Sequence, residues 1–470
     1  MTSQQTTLFA LGALAAIVVI LGLWSARRTG TVEDFHLAGR SLGAWRAGLS
    51  QAASAYGLWI VLGVSGAAYT LGIAAAWIAV GILLGAALGW FYVGTAVHRQ
   101  ARARGALTAF ELLATERPGA PRSVAQSAAG IAAVAVFFGV CAQFSIAGGA
   151  VARGLGLAQG LGVAIVAGLT LLGAWLGGLR AISAIAVVVA VLLVAIALFL
   201  PQPALFFVGG LKGMYSSLAQ TGATAIDPLG GNAGTQALIF LLGSFGLGLG
   251  LCGQPQVLEQ FVATRSESQV RWAGVVAIAW FALLLVGLLF TGWEARVLYE
   301  SIERPDLAIF ELVQRVFPPN LAVLPVLAVT AAVIVGMGAQ LLVVADALLL
   351  VGQQGSDSQG PSVARLRTVI FVMTLAAGAI AAFVSLGSAR VALLCWLATA
   401  AVLGPLFLVR ASGVHIRPGY AAAAMRVGIV LTLILFLLRR ERIDWMAAFV
   451  PFAIALLVAI LGRERSPRIN

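Results

Sequence analysis

Charged residues are scarce in this chain of 470 residues, of which only 10% are Asp, Glu, Lys or Arg. A soluble domain carries roughly 25% charged residues. Hydrophobic residues make up 61% of the sequence, and the mean hydropathy is +1.01. No soluble fold hides this much apolar surface. The composition therefore excludes a soluble globular protein and indicates an all-α polytopic membrane protein.

Cysteine and histidine are also scarce, with three residues of each type. Cys141, Cys252 and Cys395 lie far apart in apolar stretches, which favours buried, inert thiols over a disulfide framework or a metal site. We expect the three histidines to lie in loops without forming a cluster. They are His36, His98 and His415. Because no nucleophile, base or metal-ligand constellation lies at membrane depth, we predict neither an enzyme nor a resident cofactor.

The net charge of +12 comes from basic residues in short loops between apolar runs. This distribution is typical of membrane topology and not of a nucleic-acid surface, so we expect a lipid bilayer and no nucleic acid as partner. Most basic residues fall in loops that are internal if the N-terminus lies outside, with Arg439, Arg440 and Arg442 as the exception. We therefore predict an external N-terminus and a cytoplasmic C-terminus. Nothing in the sequence predicts an oligomeric state.

Apolar runs long enough to cross a bilayer as helices recur along the whole chain, and we count thirteen. They cover approximately residues 7–25, 46–71, 73–97, 123–151, 157–177, 180–200, 236–258, 271–292, 320–352, 365–385, 389–409, 418–438 and 443–461.

The second of these spans contains several residues that destabilise a regular helix. Between Gln51 and Gly66 it contains Gly57 and Gly63, together with Ser54 and Ser65. Backbone unwinds at membrane depth only where protein or a water-filled cavity receives its polar groups. Such a segment points to the binding site of a transporter. The alternative is an ordinary helix whose glycines allow close packing on its neighbours.

The seventh span is weakened in the same way. Between Ser244 and Pro255 it holds four glycines in addition to the proline. Glycine costs about 1 kcal/mol in a helix interior and proline about 3 kcal/mol. Interrupted helices five spans apart are typical of transporters that are built from two inverted repeats.

Several motifs in this order resemble the sodium/solute symporter family, and the bacterial proline/sodium symporters are the nearest subgroup. The motifs are DFHLAGRSLG at 34–43, GVSGAAYTLG at 63–72, GGLRA at 177–181, GQP at 253–255, QFVATRS at 260–266, and Trp396 with LGP at 403–405.

The resemblance implies a LeuT-like core, in which spans 2–11 form a five-plus-five inverted repeat within a single transporter domain of residues 1–470. The first repeat would cover 46–200 and the second 236–409. The first helix at 7–25 and the last two at 418–461 would be peripheral. It also implies solute uptake by alternating access, driven by sodium, in a bacterial inner membrane.

The family's sodium site falls on backbone carbonyls of Ala53, Tyr56 and Ala332. Its two hydroxyl ligands fall on Val335 and Gly336, which carry no hydroxyl. A hard cation needs several oxygen ligands, so this loss should weaken sodium binding severely.

The expected substrate site lies between spans 2, 4, 7 and 11, in surroundings with few charged side chains. A small neutral or zwitterionic solute, such as an amino acid, suits such a pocket. The candidate substrate-binding residues are Ser54, Trp59, Gly63, Gln143, Leu247, Leu251, Gln254 and Pro255.

Asp346 is an acid inside the apolar run 341–348. Buried acids in membrane spans face a cavity or a partner. Asp346 is either a proton-coupling carboxylate or a structural acid near the helix end, paired with an arginine or reached by water. Three functions stay open at this point: a sodium symporter, a sodium-independent transporter that is proton-coupled or facilitative, and a transport-inactive sensor or partner subunit.

Overall fold

The computed structural model describes residues 2–55, 58–114, 123–352, 362–384, 389–438 and 445–464. This part of the chain is almost entirely helical. Its helices are α1 (Ser3–Ala26), α2 (Val32–Leu37), α3 (Ala44–Ala55), α4 (Leu58–Leu71), α5 (Ala76–Leu88), α6 (Thr95–Arg104), α7 (Ser123–Leu155), α8 (Gln159–Phe199), α9 (Pro201–Phe207), α10 (Gly210–Gln220), α11 (Gly234–Leu249), α12 (Pro255–Ala263), α13 (Glu267–Leu298), α14 (Ala308–Val316), α15 (Val323–Val351), α16 (Val363–Phe383), α17 (Ala389–Ala411), α18 (Pro418–Leu438) and α19 (Trp445–Leu461). A π-helical turn at Gly89–Gly94 joins α5 to α6, and β1 (His415–Ile416) pairs antiparallel with β2 (Arg463–Glu464).

Ten helical segments of the described chain are long and apolar enough to cross a membrane, and α19 is a shorter apolar helix. One crossing requires roughly 20 residues, and two of the ten segments are long enough for two crossings. Leu58–Arg104 has 47 residues and Gln159–Phe207 has 49. The first holds the second half of span 2 and all of span 3, and the second holds spans 5 and 6. The number of thirteen crossings itself stays a prediction.

A glycine divides the longest helix, α8, at the predicted boundary between spans 5 and 6. Gly178 has φ 56° and ψ −141°, a conformation that side chains other than glycine avoid. A Cβ atom here would also overlap the carbonyl oxygen of Phe35 in α2. The break therefore seats the short helix α2 against the bundle.

The glycines of span 7 have two effects: they allow close packing on a neighbouring helix, and they interrupt the helix. A Cβ atom on Gly248 would overlap the backbone of Gly81, so the glycines do allow α5 and α11 to pack backbone to backbone. The α-helix nevertheless stops at Leu249. A 3-10 turn follows at Gly250–Gly253, and Gln254 is extended, with φ −81° and ψ 115°. Span 7 is thus interrupted as well as closely packed.

Burial separates helices of the interior from helices that face lipid. In the most apolar stretches of α15 and α17, 78% of the residues are buried. The corresponding share is 28% for α1, α16 and α18. The core therefore lies around α15 and α17, next to the two interrupted spans.

One end of the bundle is rich in arginines that bind backbone carbonyls. Arg180 Nη2 donates to Asp34 Oδ1 and to the carbonyl of Ala38, each at 2.9 Å. Arg102 Nη2 donates to the carbonyl of Thr264 at 3.1 Å. We call this the arginine-rich end. Its bonds join α2, which precedes the second span, to α6, α8 and the end of α12.

Candidate functional site

Glutamines from neighbouring helices bond to the backbone of the described residues on either side of positions 56 and 57 in span 2. The N–H of Leu58, the first residue of α4, donates to Gln143 Oε1 of α7 at 2.8 Å. The carbonyl of Ala55, the last residue of α3, accepts from Gln256 Nε2 of α12 at 3.2 Å. The orphaned groups of a helix end need such partners in a membrane. These two bonds lie on either side of the interruption that the sequence predicts, and Tyr56 and Gly57, between them, lie outside the described residues.

A third glutamine fastens α3 to α12. Gln260 donates from Nε2 to Ser54 Oγ and accepts from Ser50 Oγ, both at 2.8 Å. The hydroxyl of Ser54 also donates to the carbonyl of Ser50. Ser54, a predicted substrate ligand, is therefore engaged in this contact, and its role towards a solute stays a prediction.

The interruption in span 7 is bonded to α17. Gln254 Nε2 donates to the carbonyl of Trp396 at 3.1 Å, and Gln254 Oε1 accepts from Thr399 Oγ1 at 3.1 Å. The rings of Trp59 and Trp396 meet edge to face, with centroids 5.5 Å apart. The two interrupted spans are thus joined through one face of α17.

A cavity of about 290 Å³, counting its part open to solvent, lies where these contacts meet. It is lined by Trp59, Val136, Gly139, Gln143, Gln254, Gln340, Ala392, Cys395, Trp396 and Thr399. None of these lining residues is charged. The Oε1 atom of Gln340 is buried and has no protein partner among the described residues, so it is an available acceptor in the cavity wall.

The predicted substrate residues divide into two groups. Trp59, Gln143 and Gln254 line the cavity. The sequence analysis expected span 11, which is α17, at this site but did not name its Trp396 as a ligand, and it did not assign Gln340 of α15 to the site.

The other predicted positions lie behind the cavity wall. Leu247, Leu251 and Pro255 are buried in span 7, and a Cβ atom on Gly63 would lie 3.2 Å from the ring of Trp59. Their contact with a solute stays a prediction.

The described residues fit a sodium ion of the family type poorly. Ala53 lies in α3, and Ala332 lies inside the continuous helix α15, where carbonyls accept helical hydrogen bonds. Val335 and Gly336 are buried in the same helix and offer no side-chain oxygen. Tyr56 lies outside the described residues. The predicted ligand set therefore supplies two described carbonyls and no hydroxyl.

A separate cluster of titratable groups is buried at the arginine-rich end. His36 Nδ1 of α2 lies 2.7 Å from Asp346 Oδ1 of α15, and both side chains are 3% exposed. The carboxyl of Glu259 in α12 is also buried, and it interacts electrostatically with Asp346. Burial lowers the pKa of His36, but the Asp346 carboxylate outweighs this and holds the pKa above its usual value.

This cluster corrects two expectations. The interpretation of His36 as a loop histidine without a cluster was wrong, because the break at Gly178 brings α2 against the bundle. Asp346 pairs with His36, so the arginine partner that one of its two interpretations named is wrong, and its role in proton coupling stays a prediction. Among the described residues, no group of His, Cys, Asp or Glu has a metal-binding arrangement. The three cysteines are free and buried, as predicted.

Comparison with known proteins gives one family over most of the chain. Residues 35–410 match the model of the sodium:solute symporter family. The chain is 26% identical to the sodium/proline symporter of Escherichia coli over 450 residues, which cover 92% of this chain and 87% of that protein. It is 24% identical to the high-affinity proline transporter PutP of Bacillus subtilis over 337 residues, covering 71% and 70%.

Solved structures show the fold. A sodium-coupled sialic acid symporter in an outward-open state matches with a TM-score of 0.79 at 16% identity, over 98% of this chain and 99% of that one. Mhp1, a nucleobase-cation-symport-1 transporter in a closed conformation, matches with a TM-score of 0.56 at 15% identity, over 90% and 92%. The LeuT-type fold predicted from the interrupted spans is thereby confirmed.

Proposed function

Since the chain belongs to the sodium:solute symporter family, we propose that it imports a small organic solute by alternating access through the cavity between α4, α7, α15 and α17. One observation carries this proposal: residues from both interrupted spans, Trp59 and Gln254, line the same cavity. In transporters with inverted repeats, solutes bind where discontinuous helices meet near the middle of the membrane.

The lining favours a neutral or zwitterionic solute of about amino-acid size. An ionic solute would require a buried counter-charge, and the described lining contains none. Trp59 and Trp396 offer apolar faces, while Gln340 offers an acceptor for a donor on the solute. Proline is the first solute to test, because curated relatives carry its name.

Sodium symport is the first coupling mode to test, because it is the mode of the family. The loss of both hydroxyls at Val335 and Gly336 leads us to expect weak sodium binding. The proposed topology places the arginine-rich end in the cytoplasm of a bacterial cell, since basic residues concentrate on the cytoplasmic side of membrane proteins.

Uptake into liposomes tests this function. The purified protein would be reconstituted and offered a panel of labelled amino acids and neutral solutes, with sodium or proton gradients imposed separately. We expect uptake of at least one solute, and expect Trp59→Ala to abolish it. Trp77→Ala is the matched control, because Trp77 is exposed and bonds the loop carbonyl of Pro228.

Two outcomes would contradict the proposal. If no solute of the panel enters, although the protein is folded and correctly inserted, the transport-inactive sensor or partner subunit becomes the better description. If Trp59→Ala transports as well as the unmodified protein, the cavity is not the substrate site.

A further inference from the structure

Three titratable side chains at the arginine-rich end belong to elements that must separate if that end opens. His36 lies on α2, Glu259 on α12 and Asp346 on α15. Gln260 fastens α12 to α3, so these two helices form one body that packs against α15. Alternating access moves one such body relative to the other around the binding site. The cluster therefore spans an interface that the transport cycle opens.

The chemistry of the cluster requires bound protons. Two interacting carboxyl groups are stable in a buried site only if one of them carries a proton, because two adjacent carboxylates repel each other strongly there. With His36 as an imidazolium, two protons are distributed over three groups, and the cluster is neutral. Glu111 is the other charged group that acts on His36. The neighbouring Arg180 is engaged by Asp34 and Ala38.

Buried polar groups connect this cluster with the central cavity. The helix α12 starts directly after Gln254 and reaches Glu259 within about 8 Å. Between them, Gln256 Oε1 is buried without a protein partner among the described residues. Both amide atoms of Gln51, on the adjoining α3, are in the same situation. Such groups are satisfied by water, which conducts protons.

On the other side, the cluster adjoins the molecular surface. A second cavity, of about 310 Å³ with its part open to solvent, is lined by His36 and Asp346 together with Thr108, Glu111 and Leu350. The acids therefore lie between a polar route from the substrate cavity and a recess at the arginine-rich end.

We propose that Glu259, Asp346 and His36 form a proton site that is filled from the substrate cavity and emptied at the arginine-rich end, so that solute import carries a proton. When α12 and α2 part from α15, water reaches the carboxyl pair. The O–H bond of the shared proton then breaks, the proton passes to water, and a second carboxylate remains. A proton that arrives through the cavity restores the pair. This proposal rests on the transport function proposed above.

The main test uses proteoliposomes without sodium and with the outside more acidic than the inside. One proton carried with each neutral solute should accumulate that solute up to about tenfold per pH unit. We expect Glu259→Gln to lose this accumulation, because its amide cannot take up and release a proton. The same variant should still exchange labelled solute at equal pH, which shows that it folds and translocates. Glu267→Gln is the matched control at the same end, and it should accumulate solute normally.

An infrared measurement separates failure of this inference from failure of transport as such. A protonated carboxyl gives a carbonyl band that a carboxylate lacks, and Glu259→Gln and Asp346→Asn should each lose the same component of this band, whether or not a solute has been found. The buried carboxyl of Glu294, which has no hydrogen-bond partner among the described residues, would contribute a component that remains in both variants.

The inference is overturned if solute accumulation by the unmodified protein does not depend on the pH gradient and is driven by a sodium gradient instead. It is equally overturned if Glu259→Gln accumulates solute like the Glu267→Gln control, or if neither variant loses a component of the carbonyl band. If the protein takes up no solute but shows the component of the band that both variants lose, the proposed transport function is wrong and the proton site is still supported.

Discussion

The N–H of Leu58 and the side-chain oxygen of Gln143 lie 2.8 Å apart, so the first turn of α4 is capped from another span. The carbonyl of Ala55, just before the break, is capped by Gln256 in the same manner. Two glutamines from neighbouring helices thus satisfy backbone groups that would otherwise be unbonded, and an unbonded N–H or C=O costs several kcal/mol in hydrocarbon. Gln143 also lines the cavity proposed as the substrate site.

Removal of the cap on α4 should destabilise the protein. Gln143→Leu leaves the N–H of Leu58 without an acceptor, and a buried donor without a partner costs about 1–3 kcal/mol. We expect a lower melting temperature in detergent and weaker solute binding. Gln143→Glu keeps an acceptor oxygen and should melt closer to the unmodified protein. Equal melting of the leucine variant and the unmodified protein would contradict the assigned role of the cap.

The glycine at the break of α8 should tolerate no side chain. Gly178→Ala places a Cβ atom on the Phe35 carbonyl and forces alanine into a glycine conformation, which costs about 1–3 kcal/mol before the overlap is counted. We expect a marked loss of folded protein and of thermal stability. Gly168→Ala lies in the same helix with nothing within 4 Å of the added atom, so it should be neutral or slightly stabilising. Comparable melting of the two variants would show that α2 does not depend on this break.

The pairing of His36 with Asp346 should make stability depend on pH. The pKa of His36 is raised in the folded state. The contribution of His36 to folding stability is therefore fully present below the unfolded-state pKa of about 6.5, and it is lost as pH rises through the folded-state pKa. The difference in melting temperature between the unmodified protein and His36→Gln should therefore shrink as pH rises above about 6.5. His415→Gln, outside the cluster, serves as control. If the difference in melting temperature instead grows as pH rises, the assigned ion pair between His36 and Asp346 is contradicted.

The interruption of span 7 was predictable from sequence because glycine and proline act locally. The run from Gly246 to Pro255 disfavours a regular helix wherever it lies, and the structure shows the α-helix ending at Leu249. The caps were not predictable in the same way. Nothing local distinguishes Gln143 or Gln256 from a glutamine that bonds within its own helix, and their partners are 85 and 201 residues away.

The acid cluster shows the same limit. Asp346 stands out in sequence because the run around it is apolar. Its partners come from α2 and α12, which reach it only after the break at Gly178 and the interruption of span 7 have formed. The family resemblance predicted the fold, and the position of the substrate site stays a prediction, but Glu259 and Asp346 lie outside the motifs that carry the resemblance.

Restoring hydroxyls in α15 tests the sodium interpretation directly. Val335→Ser with Gly336→Thr adds the two missing oxygens at the predicted site, next to the carbonyls of Ala53 and Ala332. If those oxygens are what the site lacks, sodium should raise the melting temperature of the double variant and leave the unmodified protein nearly unchanged. Val335→Ala with Gly336→Ala controls for repacking of the helix. A sodium effect of equal size in all three proteins would place the ion elsewhere.

The acceptor of Gln340 should set affinity for the solute. Its Oε1 atom is buried in the cavity wall without a protein partner, and a donor on the solute would satisfy it. A hydrogen bond from a charged donor contributes about 1.5–3 kcal/mol, so Gln340→Leu should raise KM by roughly ten- to a hundredfold. Because the bond serves bound solute throughout the cycle, the maximal rate should change much less. Gln202→Leu, on an exposed side chain in α9, should leave KM unchanged. A KM for Gln340→Leu equal to that of this control would show that the solute binds without contacting α15.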